Sequence, residues 1–487
     1  MNPIHITIKT ITLSSLLLLL FLAVSCRKQL DLEPHKIYYE NFYQTPEDAV
    51  SAINAVYDVL GQMNMYNGSL WLIQDIGSDD CNARPTLNDP NLREFQSYSI
   101  GANNNYIAGV WQESYLGISR ANIVLEKVPP ISMDSALKER ILGEAYFLRG
   151  LFYFNLVRFF GDVPLVLKPT SANLTDEELY PHRMAFVKIY EQIVTDLSMA
   201  ADRLPASYSS GADKGRATRG AANGILAKVY LTQQNWEAAR NAAQTVMESG
   251  AYSIWPDYTD NFKEAKKNGI ESVFEVQFYK KVTSENSRIV ISGLPLLPAV
   301  FPAGVGIMTP TTDLLASFEE GDYRYEATFF DSYWNYTFDP HIWKHWDQSA
   351  YDPDETSQSG ADFMVMRYAE ILLIFAEAEN ELSGPTTLAY DAINLVRARA
   401  RNNDPAVLPD LQGLSQDQFR AAVLVERRHE FVNEGLRWYD LTRTNNLVEF
   451  VKRAKGDQAN PQSFNYLFPI PQRERDLNAN LTQNTGY

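Results

Sequence analysis

Two stretches of the chain carry the pattern of paired amphipathic helices joined by a short turn. In the first, apolar residues at helical spacing run from Ala222 to Tyr230, stop at Gln234–Asn235 and resume at Trp236. In the second, which begins at Arg367, the letters SGPTT separate two helical runs rich in alanine. Small residues on the inner stripes let two helices approach closely. Each stretch therefore predicts a helical hairpin.

Each hairpin occupies about 34 residues, the length of a tetratricopeptide-like unit. Less regular pairs are predicted from RILGEAYFLRGLFYFNLVRFFGDVP with the run Arg183–Leu204, and within FRAAVLVERRHEFVNEGLRWYDLTRT. A single hairpin cannot bury its apolar face, so several should stack. The predicted fold class is mainly α: a tetratricopeptide-like helix-hairpin scaffold with long irregular loops and a few short strands. The strands are expected near Val273 and Val290.

The N-terminus has the shape of an export signal that ends in a lipidated cysteine. Lys9 precedes an apolar run from Leu16 to Val24, and small residues lead directly to Cys26. The run is too short to span a bilayer, which takes roughly 20 apolar residues. We expect residues 1–25 to be a lipoprotein signal peptide and Cys26 to carry lipid. The alternative is an unmodified thiol after a merely cleaved signal.

The composition indicates a folded globular body. Hydrophobic residues make up 45% of the chain and charged residues 21%. The net charge of −17 disfavours nucleic acid as a partner, because nucleic-acid binders carry a basic stripe. Cys81 is the only other cysteine, so no disulfide framework is expected. We predict one domain, residues 26–487, with a loop-rich ligand-binding insertion at about 252–360.

The segment DSYWNYTFDPHIWKHW is the first candidate ligand site. Its rings, with polar neighbours, suit a neutral, hydroxyl-rich ligand, which needs a flat apolar face and hydrogen-bonding groups at the rim. We expect an irregular loop, in which Trp334, Tyr336, Trp343 and Trp346 contact ligand. The alternative is that the rings close the loop onto the helices. A second turn-rich segment offers four more candidates: Trp71, Asp79, Asp80 and Arg84.

Signals for catalysis and for cofactors are weak. His341 and His345 stand four residues apart, but no glutamate accompanies them as in a zinc-protease helix, and Pro340 suggests a loop. No metal site and no cofactor are predicted. The chain has neither a nucleophile elbow nor a phosphate loop. The alternative of a glycosidase with a catalytic pair of carboxylates stays open, because acidic residues are abundant.

Charges alternate along the segment ERRHEFVNEGLRWYDLTRT. Acids recur every four residues from Glu426 to Glu434, and they are followed by Arg437, Asp440 and Arg443 at intervals of three. The pattern predicts a salt-bridged helix pair with Trp438 and Leu441 turned inward.

This segment, with NYLFPIPQRERDLNANLTQNTGY, resembles the C-terminal signature of the SusD/RagB family, surface lipoproteins that Bacteroidetes pair with TonB-dependent transporters. Similar blocks extend back through EAYFLRGLFYFNLVRFFGDVPLV to FYQTPEDAVSAINAVYD and Cys26. The resemblance covers nearly the whole chain after the signal peptide. Two departures are Thr485, where the family usually has proline, and His429, which replaces a frequent arginine.

The resemblance implies a SusD-like fold and a non-enzymatic function. Family members sit on the outer face of the outer membrane through a lipid anchor, capture an oligosaccharide, and close as a lid over a SusC-like TonB-dependent transporter. A peptide-capturing lid of the RagB type is the alternative, and a surface glycosidase is a third hypothesis. In glycan-binding members the site combines aromatic residues of the middle insertion with a polar loop. Carried over, these are Trp334, Tyr336, Trp343 and Trp346, with Asp79, Asp80 and Arg84.

Overall fold

The structure is a computed structural model that describes residues 42–170, 174–282, 285–350, 359–402 and 404–487. The predicted signal peptide and Cys26 lie outside these residues. Within the described ranges, no helix is both long enough and apolar enough to cross a membrane.

Helices dominate the described residues. The helices are α1 Pro46–Leu60, α2 Ser69–Gly77, α3 Pro90–Ser97, α4 Asn105–Lys127, α5 Ser135–Phe160, α6 Asp176–Leu179, α7 Phe186–Arg203, α8 Arg219–Thr232, α9 Trp236–Glu248, α10 Ile289–Gly293, α11 Thr312–Ser317, α12 Tyr323–Thr328, α13 Tyr368–Ser383, α14 Thr387–Ala400, α15 Gln416–Glu430, α16 Arg437–Arg443, α17 Leu447–Lys455 and α18 Gln472–Leu477. The mainly α prediction is confirmed.

The strands are short and pair two by two in antiparallel fashion. They are β1 Cys81–Ala83, β2 Val163–Pro164, β3 Arg183–Met184, β4 Ser272–Val276, β5 Met308–Pro310, β6 Phe329–Tyr333, β7 Tyr336–Ile342 and β8 Phe363–Arg367. The pairs are β1 with β5, β2 with β3, β4 with β8, and β6 with β7.

The predicted helical hairpins form and stack on one another. Helices α8 and α9 flank the expected turn, where the Asn235 side chain accepts a hydrogen bond from the Ala238 amide and begins α9. Thr386, within the SGPTT break, caps α14 in the same way. Helix α1 packs on α4, α4 on α5, α5 on α7, α7 on α8, α8 on α9, and α9 on α13. The array is therefore continuous, as a repeat scaffold requires.

A long excursion separates α9 from α13, although these two helices pack against each other. Strands β4 and β8 close its base, with Ser272 opposite Arg367 and Val276 opposite Phe363. The strand expected near Val273 is thus confirmed. The strand expected near Val290 is wrong, because that run forms the short helix α10. A brief apolar run fits either structure, and its period alone cannot decide between them.

The charge series near the C-terminus forms a salt-bridged helix pair, as predicted, but its carboxylates lie in the interior. Arg427 of α15 binds Asp440 of α16 at 2.8 Å, and Trp438 is fully buried. We name as the buried ion cluster the residues Glu271, Arg324, Arg367, Arg399, Glu430 and Glu434. Burial raises the pKa of Glu430, but the charges of Arg399, Arg367 and Arg324 outweigh burial and hold that pKa well below its usual range.

Candidate ligand-binding site

Strand pairing brings the two candidate segments to one region. Strand β1, just before Arg84, pairs with β5, and β5 in turn lies against β7. Arg84 is near enough to His341 of β7 that its charge adds to the effect of burial in lowering the pKa of His341. The end of the aromatic segment that carries His341 therefore adjoins the segment that carries Arg84.

The aromatic segment is a β-hairpin rather than the expected irregular loop. Strands β6 and β7 pair Phe329 with Ile342 and Tyr333 with Tyr336, which leaves Trp334 in the turn. Trp334 has φ 52° in the left-handed region, where a bulky residue is uncommon. Such backbone strain concentrates at functional sites. The hairpin forms despite its polar composition because its outer half is exposed to solvent.

Three rings form a partly exposed surface, the aromatic platform, made of Tyr333, Trp334 and Trp346. The Trp334 side of the platform is the more open, since this residue is 77% exposed. Its ring centroid lies 5.4 Å from that of Tyr333 at an interplanar angle of 28°. The Tyr333 ring lies 5.5 Å from that of Trp346. The platform offers adjoining apolar faces of the kind on which sugar rings stack.

Buried rings support the platform from beneath. Phe301 is 4% exposed and lies 5.3 Å from Tyr333 and 5.5 Å from Trp346, measured between ring centroids. Phe301 also contacts Phe330 and Phe338 of the hairpin. Close packing of this kind limits the motion of the exposed rings, so less conformational entropy is lost when a ligand binds.

A cleft of about 410 Å³, the aromatic cleft, opens beside the platform. Trp343 and Trp346 line it together with Phe262, Tyr323, Glu326 and Asp347. The Trp343 ring stacks on Phe330 at 4.7 Å and 7°, and its Nε1 donates to the Glu326 carbonyl oxygen at 3.0 Å. The cleft thus combines ring faces with polar groups at its rim, which is typical of small-ligand sites.

Two buried polar side chains anchor the segment that carries Trp343 and Trp346. Lys344 Nζ donates to Glu434 Oε1 at 2.7 Å and to the Val432 carbonyl oxygen at 2.8 Å. His345 Nε2 donates to the Asn433 carbonyl oxygen at 3.0 Å. Burial lowers the pKa of Lys344 to about 8, which leaves the ammonium charged at neutral pH. These contacts tie the segment that carries Trp343 and Trp346 to the chain that follows α15.

The same chain matches known proteins in sequence and in structure. Residues 331–487 match the model of the SusD family, and residues 29–231 match the model described as starch-binding associating with outer membrane. The chain belongs to the SusD/RagB family. A SusD-like protein P2 from Formosa agariphila is 27% identical to this chain over an alignment of length 513. The alignment covers 97% of this chain and 98% of that relative.

Solved structures of SusD/RagB proteins share the fold. A SusD homologue from Bacteroides thetaiotaomicron superposes with a TM-score of 0.80 at 27% identity, covering 92% of this chain and 98% of the other. A laminarin-binding SusD-like protein superposes with a TM-score of 0.77 at 27% identity, covering 91% of this chain and all of the other, 100%.

Three of the site residues predicted for this SusD/RagB chain lie in the interior. Trp71 is fully buried and donates from Nε1 to the Tyr66 carbonyl oxygen at 3.1 Å. Asp79 accepts two hydrogen bonds from Arg437, at 2.8 and 2.9 Å, and Asp80 accepts one from Arg428 at 2.7 Å. These ion pairs hold α2 and β1 against α15 and α16. The three side chains therefore belong to the core and not to a ligand surface.

The remaining candidates gather around the hairpin of the SusD/RagB chain. Trp334 and Tyr336 are exposed at its tip, Trp343 and Trp346 are half-buried at its base, and Arg84 is half-buried close to His341. Their role in binding stays a prediction. Tyr333 was missing from the candidates although its ring joins Trp334 to Trp346. Hairpin alternation, which places Tyr333 opposite Tyr336, is the signal that would have included it.

Acidification is expected to destabilise this SusD/RagB protein through His345. Burial, followed by the charge of Lys344, lowers the pKa of His345 from 6.5 to about 3. Because the folded pKa is the lower one, the stabilisation is fully present above the unfolded pKa of about 6.5 and is lost as the pH falls towards 3. At about pH 5 the loss is about 2 kcal/mol.

The variant His345→Gln isolates this contribution. Glutamine keeps an N–H donor for the Asn433 carbonyl oxygen but does not titrate. Thermal unfolding followed by circular dichroism should show a smaller fall in Tm for the variant than for the wild type between about pH 7 and 5. Equal falls in the two proteins would contradict this role for His345.

Proposed function

We propose that this chain is a cell-surface lipoprotein that captures an oligosaccharide on the aromatic platform. Held to the outer membrane through a lipid on Cys26, it acts as a lid that delivers the ligand to a SusC-like TonB-dependent transporter. In this proposal the chain binds its ligand and does not hydrolyse it.

The observation that carries the proposal is the exposed aromatic platform on a buried aromatic base. Trp334 keeps 77% of its surface in water and occupies an unusual backbone conformation, which costs stability without adding to the core. Exposed apolar rings of this kind mark binding sites. Stacked rings with polar groups at the rim suit a neutral sugar chain.

The relatives support the same ligand class. One structural relative is described as a laminarin-binding SusD-like protein, and the model that matches the N-terminal half carries the description starch-binding. That model's description also refers to the outer membrane, which agrees with a lipid-anchored protein. Several lipid chains on Cys26 would hold the domain on the membrane while it opens and closes over the transporter.

Calorimetric titration of the soluble chain, residues 27–487, tests the proposal. The probes are a panel of plant and host oligosaccharides that includes laminarihexaose, and a mixed pool of peptides. We expect at least one glycan to bind and the peptides to give no heat above dilution. Binding of peptides alone would replace the proposal with a RagB-type peptide lid. Steady release of shorter sugars from a bound glycan would contradict the non-enzymatic function.

A further inference from the structure

A second cleft lies along α12 and shares lining residues with the aromatic cleft. This acidic cleft has a volume of about 500 Å³ and is lined by Phe318, Glu319, Glu320, Tyr325, Arg401 and Asp404. Tyr323 and Glu326 line both clefts. We propose that the two clefts form one groove for an extended uncharged glycan, and that its acidic half excludes glycans bearing uronate or sulfate groups. The inference rests on the proposed function and narrows its ligand class.

The cations around the acidic cleft neutralise only part of its charge. Arg401 is held by Asp410 and by the Leu408 carbonyl oxygen, and Arg397 binds Glu319 at 3.0 Å. Across the described parts of the chain, Glu320 and Glu326 are paired with no cation. Carboxylates that line a cleft focus a negative potential, and at physiological salt this potential persists over about 8 Å before it is screened.

The same groups suit an uncharged sugar chain. Hydroxyl groups of a glycan are hydrogen-bond donors, and hydrogen bonds from O–H groups to carboxylates are about twice as strong as those between neutral partners. Tyr325 is 38% exposed and packs edge-on against Phe318 at 5.7 Å, so the acidic cleft also offers a ring face. A uronate or sulfate in this cleft would lie beside carboxylates, and such like-charge juxtaposition opposes binding.

The first test compares binding of neutral and anionic chains to the soluble chain, residues 27–487. The neutral probes are laminarihexaose, cellohexaose and xylohexaose, and the polyanions are laminarin sulfate, polygalacturonate and alginate. We expect every polyanion to bind the wild type at least about 100-fold more weakly than the best neutral chain. A polyanion that binds within about tenfold of the best neutral chain would overturn the inference. Binding of peptides alone would instead overturn the proposed function.

Charge-reversal variants test whether the groove itself is responsible. Glu320→Lys with Glu326→Lys should strengthen binding of laminarin sulfate by at least about tenfold, and added salt should remove the gain. The matched control is Glu47→Lys with Glu237→Lys, which changes the net charge equally at exposed positions on α1 and α9. An equal gain in the control would show a general charge effect and overturn the assignment to this groove.

Chain length tests whether the two clefts act as one groove. Tyr325→Ala should weaken binding of the neutral hexaose several-fold and leave binding of the corresponding trisaccharide on the aromatic platform unchanged. Equal effects on the two lengths, or no effect on either, would show that the ligand does not extend into the acidic cleft.

Discussion

Arg367→Met is expected to lower the free energy of unfolding by about 3–5 kcal/mol, because it leaves buried carboxylates without their partner. Arg367 is 1% exposed and binds Glu271 at 2.9 Å and Glu434 at 2.9 Å, besides Glu430. Methionine fills similar space but supplies no charge. Arg367 ends β8 at the start of α13, so the loss also loosens the point where the excursion rejoins the helical array.

Denaturant-induced unfolding followed by tryptophan fluorescence measures the change as a lower midpoint. The matched control is Arg420→Met, which removes an arginine from an exposed pair with Glu381. Surface pairs of this kind contribute about 0–1 kcal/mol, so the control should stay close to the wild type. Equal shifts in the two variants would contradict the importance assigned to the buried ion cluster.

The double variant Trp334→Ala with Trp346→Ala is expected to lower glycan affinity by about 100-fold. An aromatic contact contributes up to about 1.5 kcal/mol beyond the area it buries, so two rings together amount to about 3 kcal/mol. Trp334 alone should account for about tenfold, since it presents the most exposed face of the platform. Calorimetric titration with the best-binding neutral oligosaccharide of the panel provides the measurement.

Two controls distinguish a loss of glycan affinity from a loss of folding. Tyr180→Ala removes an exposed aromatic side chain outside the platform, 48% exposed, and should leave the affinity unchanged. Trp346 packs against Phe301, so thermal unfolding of its variant should be compared with that of Trp334→Ala, whose ring lies mainly in solvent. If the double variant remains folded and binds the glycan as well as the wild type, the ligand site lies elsewhere.

The helical scaffold could be predicted because its signals are local. Apolar and small residues at helical spacing, with Asn235 and Thr386 as caps, define the hairpins α8–α9 and α13–α14 within a few turns of chain. Where the signal was short, the prediction failed. The run at 289–293 forms a helix instead of a strand, and the polar segment 331–346 forms a hairpin instead of a loop.

The candidate site residues also divide into those that local sequence reveals and those whose surroundings depend on distant parts of the chain. The rings of the hairpin are neighbours in sequence, so their clustering could be read from the chain itself. Trp71, Asp79 and Asp80 also looked accessible, but the arginine that binds Asp79 lies 358 residues further along the chain. No local pattern reveals that such a partner will remove a carboxylate from solvent.

The sequence by itself determined the helical hairpins, the family resemblance and the cluster of aromatic residues at 331–346, because each depends on residues close together along the chain. The tertiary structure alone decided which rings stay exposed, which carboxylates are buried with arginines, and which clefts adjoin. Phe301, which lies beneath the platform, and Glu434, which binds Lys344, both come from segments outside the β-hairpin. Burial and ion pairing are properties of long-range packing, and only the folded chain brings those partners together.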